Sequence, residues 1–250
     1  MIDFHTHIIP GIDDGSRNIN ETIKLLEEAA ENGFEQIILT PHYLEDTYVV
    51  NEKDRIELLN KVREYIPKNK VKLYLANEIY VTHNMLDLLK EKEASTINNT
   101  RYLLFELPMT RNISNLNDII YALLENRYIP VIAHPERYKF VQENPNMLLD
   151  LISLGVLFQS NYGSLIGVYG NETKKTVKLL LKANMIHFMG TDVHRANTIY
   201  PKMNKIMKEL RKIISDEKIE ELTETNPSLV LQDKEIYIEE PQKIKKFGLF

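Results

Sequence analysis

The sequence predicts an α/β protein with a parallel sheet, closed into a barrel or wound open, and three observations carry that expectation. Seven short apolar runs begin near residues 2, 36, 72, 102, 129, 156 and 186, each followed by a segment of helical periodicity. Their spacing of about 27 to 36 residues suits a repeated βα unit, whose crossovers lay successive strands side by side in parallel. The runs are apolar without regular polar alternation, as strands covered on both faces require. At 250 residues the chain fits one such domain, assigned to residues 1–232, and the charged stretch 233–250 is expected to be a flexible tail.

The first strand, Ile2-Asp3-Phe4-His5-Thr6-His7, places two imidazoles two residues apart, hence on one face, with Asp3 expected on the same face as a carboxylate able to orient a ring. Pro10 to Gly15 are turn formers, and Asn18 with Glu21 reads as a capping box for a helix that Gly33 stops. Strand two, Gln36 to Thr40, ends in Pro41-His42, and a helix is expected over about Glu52 to Ile66, stopped by Pro67. Strand three, Lys72 to Ala76, runs into Asn77-Glu78, with a short helix through Met85 to Leu89. Strand four, Tyr102 to Phe105, ends in Glu106, and a helix spans about Leu116 to Leu124. Strand five, Pro130 to Ala133, ends in His134-Pro135-Glu136-Arg137, with a helix through Met147 to Ile152. Strand six, Val156 to Gln159, is followed by a helix near Thr173 to Ala183. Strand seven, Ile186 to Gly190, ends in Thr191-Asp192-Val193-His194. Two closing helices are expected near 200–214 and 216–223, and patterning fades beyond Asn226-Pro227.

Composition narrows the function. Charged residues are 27% of the chain with a net charge of -5 and no basic stripe, which disfavours nucleic acid as a partner. No basic leader precedes an apolar stretch and no apolar run reaches bilayer length, so no membrane insertion and a cytoplasmic location are expected. The absence of cysteine removes thiolate zinc sites and cysteine nucleophiles, leaving oxygen, nitrogen and metal chemistry.

A metal-capable residue stands at the C-terminal end of nearly every strand: His5 and His7, His42, Glu78, Glu106, His134, then Asp192 and His194. The gaps from 42 to 78, 106 and 134 are 36, 28 and 28 residues, and the gap of 58 to Asp192 is about two units. In a parallel barrel all these ends meet at one face, where such folds build their active sites. Asp13 and Asp14 are equal candidates on spacing. His187 lies inside a strand and His83 in a loop, and neither keeps the phase.

With these residues in place the chain resembles the polymerase and histidinol phosphatase (PHP) superfamily, and within it the manganese-dependent protein-tyrosine phosphatases of bacterial capsule and exopolysaccharide loci. The resemblance rests on Asp3 to His7, Gly11-Ile12-Asp13-Asp14-Gly15, Thr40-Pro41-His42, Glu78, Glu106, His134-Pro135-Glu136-Arg137, Asp192-Val193-His194 and Asn226-Pro227. It implies a distorted (βα)7, TIM-like barrel. It also implies three divalent metal ions, manganese first with iron or zinc suited to the same donors, on His5, His7, Asp14, His42, Glu78, Glu106, His134, Asp192 and His194. Asp14 is thereby preferred to Asp13. Arg137 would hold the phosphoryl oxygens while hydroxide between two metals attacks phosphorus directly, without a phosphoenzyme. The family's second arginine is missing from its usual slot, filled here by Ala196 to Tyr200, and Arg195 is the nearest substitute. The partner implied is a phosphotyrosine protein, a bacterial tyrosine autokinase; a homo-oligomer is allowed but not specified. A histidinol-phosphate-like phosphatase, an amidohydrolase or nuclease, and a non-catalytic kinase-binding module are the alternatives.

Overall fold

The computed structural model describes residues 1–65 and 71–245. Its strands are β1 (Ile2–Thr6), β2 (Gln36–Leu39), β3 (His42–Tyr43), β4 (Lys72–Leu75), β5 (Glu78–Tyr80), β6 (Tyr102–Glu106), β7 (Ile129–Ala133), β8 (Leu157–Asn161) and β9 (Phe188–Gly190). All pairings between these strands are parallel, in the orders β1-β2-β4 and β3-β5-β6-β7-β8-β9. A bridge from Thr6 to Val193, with the Asp192 amide on the His5 carbonyl (2.8 Å), brings the last strand back to the first. Seven βα units in chain order thus curl into the distorted barrel.

Nine strands among the described residues arise from seven units because two units break near their C-terminal ends. Pro41 has no N–H to give the ladder, and its carbonyl instead accepts the Asn77 side chain (3.0 Å) and the Glu78 amide (3.1 Å). The offset pieces β3 and β5 then pair in their own register, His42 opposite Glu78. These two breaks tip two ligand candidates into the barrel mouth.

Ile2, Phe4, Ile38, Leu104, Val131, Ala133, Leu157 and Phe188 form one buried cluster inside the barrel, with Phe4 and Phe188 stacked at 4.1 Å. A larger cluster joins the outer strand faces to the surrounding helices, including Ile37, Leu103, Phe105, Ile132 and Phe158 against Leu25, Leu26, Ile120, Val177 and Leu180. Each of the larger aliphatic and phenyl side chains contributes about 1.5–3 kcal/mol by leaving water.

The first helix, Ile19–Glu31, opens as expected, with Asn18 Oδ1 accepting the Glu21 amide (3.1 Å), and Gly33 follows its end at φ +85°. The helix after β7 is two pieces, Lys139–Glu143 and Met147–Ser153, interrupted at Pro145. The last helical stretch continues past its expected end. A π turn over Glu221–Thr225 widens the backbone just ahead of Pro227, which lets Asn226–Leu231 carry on.

Residues 233–245 hold no helix or strand but are tied to the barrel. Tyr102 donates to the Lys234 carbonyl (2.7 Å), the Gln242 amide donates to the Ala183 carbonyl (2.8 Å), and Asn146 exchanges two hydrogen bonds with Ile244. Ile236 and Ile238 pack against the barrel core. The expected end of the second helix at Ile66-Pro67, together with Lys246 and Phe247 to Phe250, lies outside the described residues. Among the described residues no helix is long and apolar enough to cross a membrane.

Candidate metal centre

The strand ends deliver five imidazoles and four carboxylates to the C-terminal mouth. His5 Nε2 and His7 Nε2 are 3.0 Å apart, and Glu78 Oε2 lies 3.1 and 3.3 Å from them and 3.1 Å from His42 Nδ1. Glu78 Oε1 meets His134 Nε2 at 2.9 Å, and Glu106 Oε1 is 3.4 Å from His42 Nδ1. Asp192 Oδ1 is 3.3 Å from His7 Nε2, and Asp14 Oδ1 is 3.3 Å from His194 Nε2 and 3.6 Å from His42 Nε2. Three overlapping groups, His7-Asp14-His42-His194, His5-His7-Asp192 and His42-Glu78-Glu106, each gather their ligand atoms within 4.8 Å.

Hydrogen bonding at the outer ring nitrogens sets which atoms face the centre. His7 Nδ1 lies 2.8 Å from Asp13 Oδ2, and His5 Nδ1 lies 2.8 Å from Gln159 Oε1, whose own amide nitrogen is committed to Asn161 Oδ1 (3.0 Å). Both partners are acceptors, so both rings carry their proton on Nδ1 and turn an Nε2 lone pair inward. Two lone pairs and the buried Glu78 Oε2, which has no hydrogen-bond donor among the described residues, therefore point at one another across about 3 Å. Such a focus repels itself unless a cation occupies it, so these donors fit divalent metal. Nitrogen and oxygen donors without sulfur suit manganese, iron or zinc.

Burial would lower His5 and His7, but Glu78 and Asp192 raise the first and Asp13 the second, so the pocket draws positive charge. Burial, then the charges of Glu78 and Asp192, push Glu106 up to about 9. Burial would raise Asp13 too, but His7 with its hydrogen bond and the amides of Gly15 and His42 outweigh it and hold the carboxyl at about 2. Burial takes His42 down to about 4.

Local backbone makes the convergence possible. His134 (φ +35°) and Asp192 (φ +51°) both adopt the left-handed region just past a strand, which is costly for such residues and turns their side chains inward. A Cβ on Gly15 would overlap the His7 carbonyl and sit 2.6 Å from His7 Cβ, and one on Gly190 would meet His5 Cβ at 2.7 Å. Glycine at both places lets the first strand approach.

Asp3 departs from the expected pattern. The register of β1 on β2 shifts between Asp3 and Thr6, which breaks strict alternation, and the Asp3 carboxylate accepts from the Thr191 amide (2.8 Å), Thr191 Oγ1 (2.7 Å) and Tyr200 (2.8 Å). Gln159 and Asp13 orient the rings instead. His187 is buried, with Nδ1 accepting the Phe158 amide (3.0 Å), and His83 is exposed; neither reaches the centre.

Arg137 lies at the edge of the centre. Nη1 donates to Asp192 Oδ2 (2.9 Å), and the guanidinium sits 4.5 Å from the centroid of the Tyr169 ring. Its neighbour Glu136 is wholly buried and accepts from Ser160 Oγ (2.8 Å), the Asn161 amide (2.9 Å) and Ser164 Oγ (2.7 Å), which pins the loop to β8. Arg195 spends Nη1 on the backbone carbonyls of Gly15 and His194 (2.7 Å for the latter). Sequence gives no signal for the parts of Tyr169 and Gln159: the first lies in a loop between helices, and the second sits inside β8 without a titratable group to mark it.

The sequence pattern described as capsular polysaccharide synthesis, CpsB/CapC, matches residues 1–232. The tyrosine-protein phosphatase YwqE of Bacillus subtilis is 32% identical over 252 residues, covering 100% of this chain and 99% of that one. The tyrosine-protein phosphatase CpsB of Streptococcus pneumoniae is 30% identical over 241 residues, covering 94% and 99%. A structure from work on those two proteins, described as unique metal-dependent tyrosine phosphatases, superposes with a TM-score of 0.91 at 29% identity, covering 98% of this chain and 100% of the other.

Proposed function

The chain belongs to the capsular polysaccharide synthesis CpsB/CapC family, and we propose that it is a metal-dependent protein-tyrosine phosphatase, a phosphoric monoester hydrolase acting on a phosphotyrosine protein. The observation that carries this reading is the inward-facing set of imidazole lone pairs and unpartnered carboxylate oxygen, with an arginine at its edge. Divalent ions held there would make water a nucleophile near neutral pH and neutralise charge on the phosphoryl group.

We propose three such ions, manganese first, which the overlapping groups of ligands would share, with His134 on Glu78 beside them. Five neutral imidazoles and four carboxylates bring a charge of -4, three divalent ions would bring +6, and the resulting +2 would draw a phosphate dianion inward. Arg137, one donor on Asp192, offers the rest of its planar fork to the non-bridging oxygens, and Tyr169 below fixes the plane of that fork. Asp13 and Gln159 keep the His7 and His5 protons on the outer nitrogens throughout the cycle. Arg195 ties His194 to the Asp13–Gly15 loop, and we assign it a supporting part in phosphate binding.

The names of the relatives support phosphotyrosine as the substrate, and the family's description supports a place in capsule or exopolysaccharide synthesis. The partner that follows is a bacterial tyrosine autokinase in the cytoplasm. Turnover of a phosphotyrosine peptide, histidinol phosphate, single-stranded DNA and an amide substrate, each with added Mn²⁺, tests the reading. The peptide is the preferred substrate; preference for any of the other three overturns it.

A further inference from the structure

The mouth of the centre has an aromatic wall. After β3 the chain turns back so that Leu44 and Tyr48 exchange backbone hydrogen bonds in both directions (3.1 and 2.8 Å), with Asp46 at φ +64° near the tip. The half-buried Tyr48 ring comes to rest nearly parallel to the His42 imidazole, its centroid 5.9 Å away and its plane 15° off.

This loop is anchored from beneath. Arg55, 1% exposed, donates to the carbonyls of Val50 and Glu93 (2.9 Å) and to Ser95 Oγ (3.2 Å). Both terminal nitrogens of this buried guanidinium are thus engaged, Nη1 by main chain that includes the loop itself, while Nε has no partner among the described residues. Tyr48 is thus held by backbone hydrogen bonds to Leu44 on one side and by the Arg55 contact to Val50 on the other.

The ligands grade from buried to exposed in one direction. The His5, His7 and Glu78 side chains are fully buried, whereas His42, His194 and Asp14 are 16%, 29% and 53% exposed. A phosphoryl group reaching the buried donors passes that rim, and the group esterified to it lies beside Tyr48 and the exposed Val49. In phosphotyrosine that group is a flat ring, and its phosphorus stands a phenyl ring further from the main chain than in phosphoserine. We propose that Tyr48 is the aryl platform of the site, packing against the substrate's phenyl ring and so favouring aryl over alkyl phosphomonoesters. Offset aromatic pairs gain from ring quadrupoles beyond the area they bury. The proposal rests on the phosphatase reading and names its specificity determinant.

The test compares two competitive inhibitors on Mn²⁺-loaded parent, Tyr48→Ala and Tyr48→Phe: a peptide carrying phosphonomethylphenylalanine, which offers ring and phosphonate, and inorganic phosphate, which offers no ring. The ratio of inhibition constants, peptide to phosphate, rises roughly five- to tenfold in Tyr48→Ala and stays near the parental value in Tyr48→Phe. An unchanged ratio in Tyr48→Ala, whether both constants hold or both weaken with loss of metal, overturns the platform. A parent that binds phosphate but hydrolyses no phosphotyrosine peptide fails the phosphatase reading itself and removes this proposal with it.

Discussion

Asp13 Oδ2 stands 2.8 Å from His7 Nδ1 and also accepts the His42 amide (3.0 Å), so one buried carboxylate sets two neighbouring ligand candidates. Its neighbour Asp14 turns the other way, toward His42 and His194. Adjacent acids with identical chemistry thus divide into one that orients a ring and one that faces the inward imidazoles.

Asp13→Ala leaves all nine ligand candidates in place but removes the acceptor that fixes the His7 tautomer. Loss of such a partner commonly costs 10- to 100-fold in metal affinity. Titration of Mn²⁺ against a competing chelator reads the change. Parental affinity in Asp13→Ala would show that His7 needs no such support.

Arg137→Ala lowers kcat/KM on a phosphotyrosine peptide roughly a hundredfold, the scale of a charge-assisted contact that strengthens as charge develops, about 3 kcal/mol. Arg137→Lys recovers part of this, because a point charge cannot reproduce a planar fork. Arg195→Ala costs less, since its Nη1 is committed to backbone carbonyls. Steady-state kinetics at fixed Mn²⁺ decide the matter, and an Arg137→Ala enzyme within threefold of the parent takes the residue out of the mechanism.

His187 gives the fold a pH dependence separable from the metal centre. Burial, with Lys218 nearby, lowers it from the ordinary 6.5 to about 3. Below pH 6.5 the unfolded chain binds a proton that the folded chain refuses, so the contribution is flat above pH 6.5 and stability falls as pH drops from there toward 3. Between pH 7 and 5 the parent loses about 2 kcal/mol more than His187→Gln, measured by urea unfolding at both pH values. Equal losses in the two proteins would mean that His187 charges freely in the folded state.

The seven units and the phase of the ligands were legible because each depends on local pattern: an apolar run, a helical period, and a polar residue at the strand end. What escaped depends on contacts distant in sequence. Asp3 follows strand alternation on paper, and only the pairing of β1 with β2 introduces the shift that sends it to Thr191 and Tyr200. The split of two strands was half visible in Pro41, but the Asn77 side chain that closes the gap carries no sequence signal for that task. Tyr48 and Tyr169 read as ordinary loop tyrosines until the fold sets them beside His42 and under Arg137. Arg137 itself pairs with Asp192, 55 residues away, and its neighbour Glu136 is occupied by three donors from the end of β8 and the residues beyond it.

The converging imidazoles and carboxylates are expected to work only with divalent metal between them. The most direct test is hydrolysis of a phosphotyrosine peptide by the full chain after exhaustive chelation, with residual metal quantified by elemental analysis, before and after Mn²⁺ is restored. Activity vanishes with the metal, returns with Mn²⁺ and is untouched by thiol alkylation, since the chain has no cysteine. Full turnover by verified metal-free protein would contradict it.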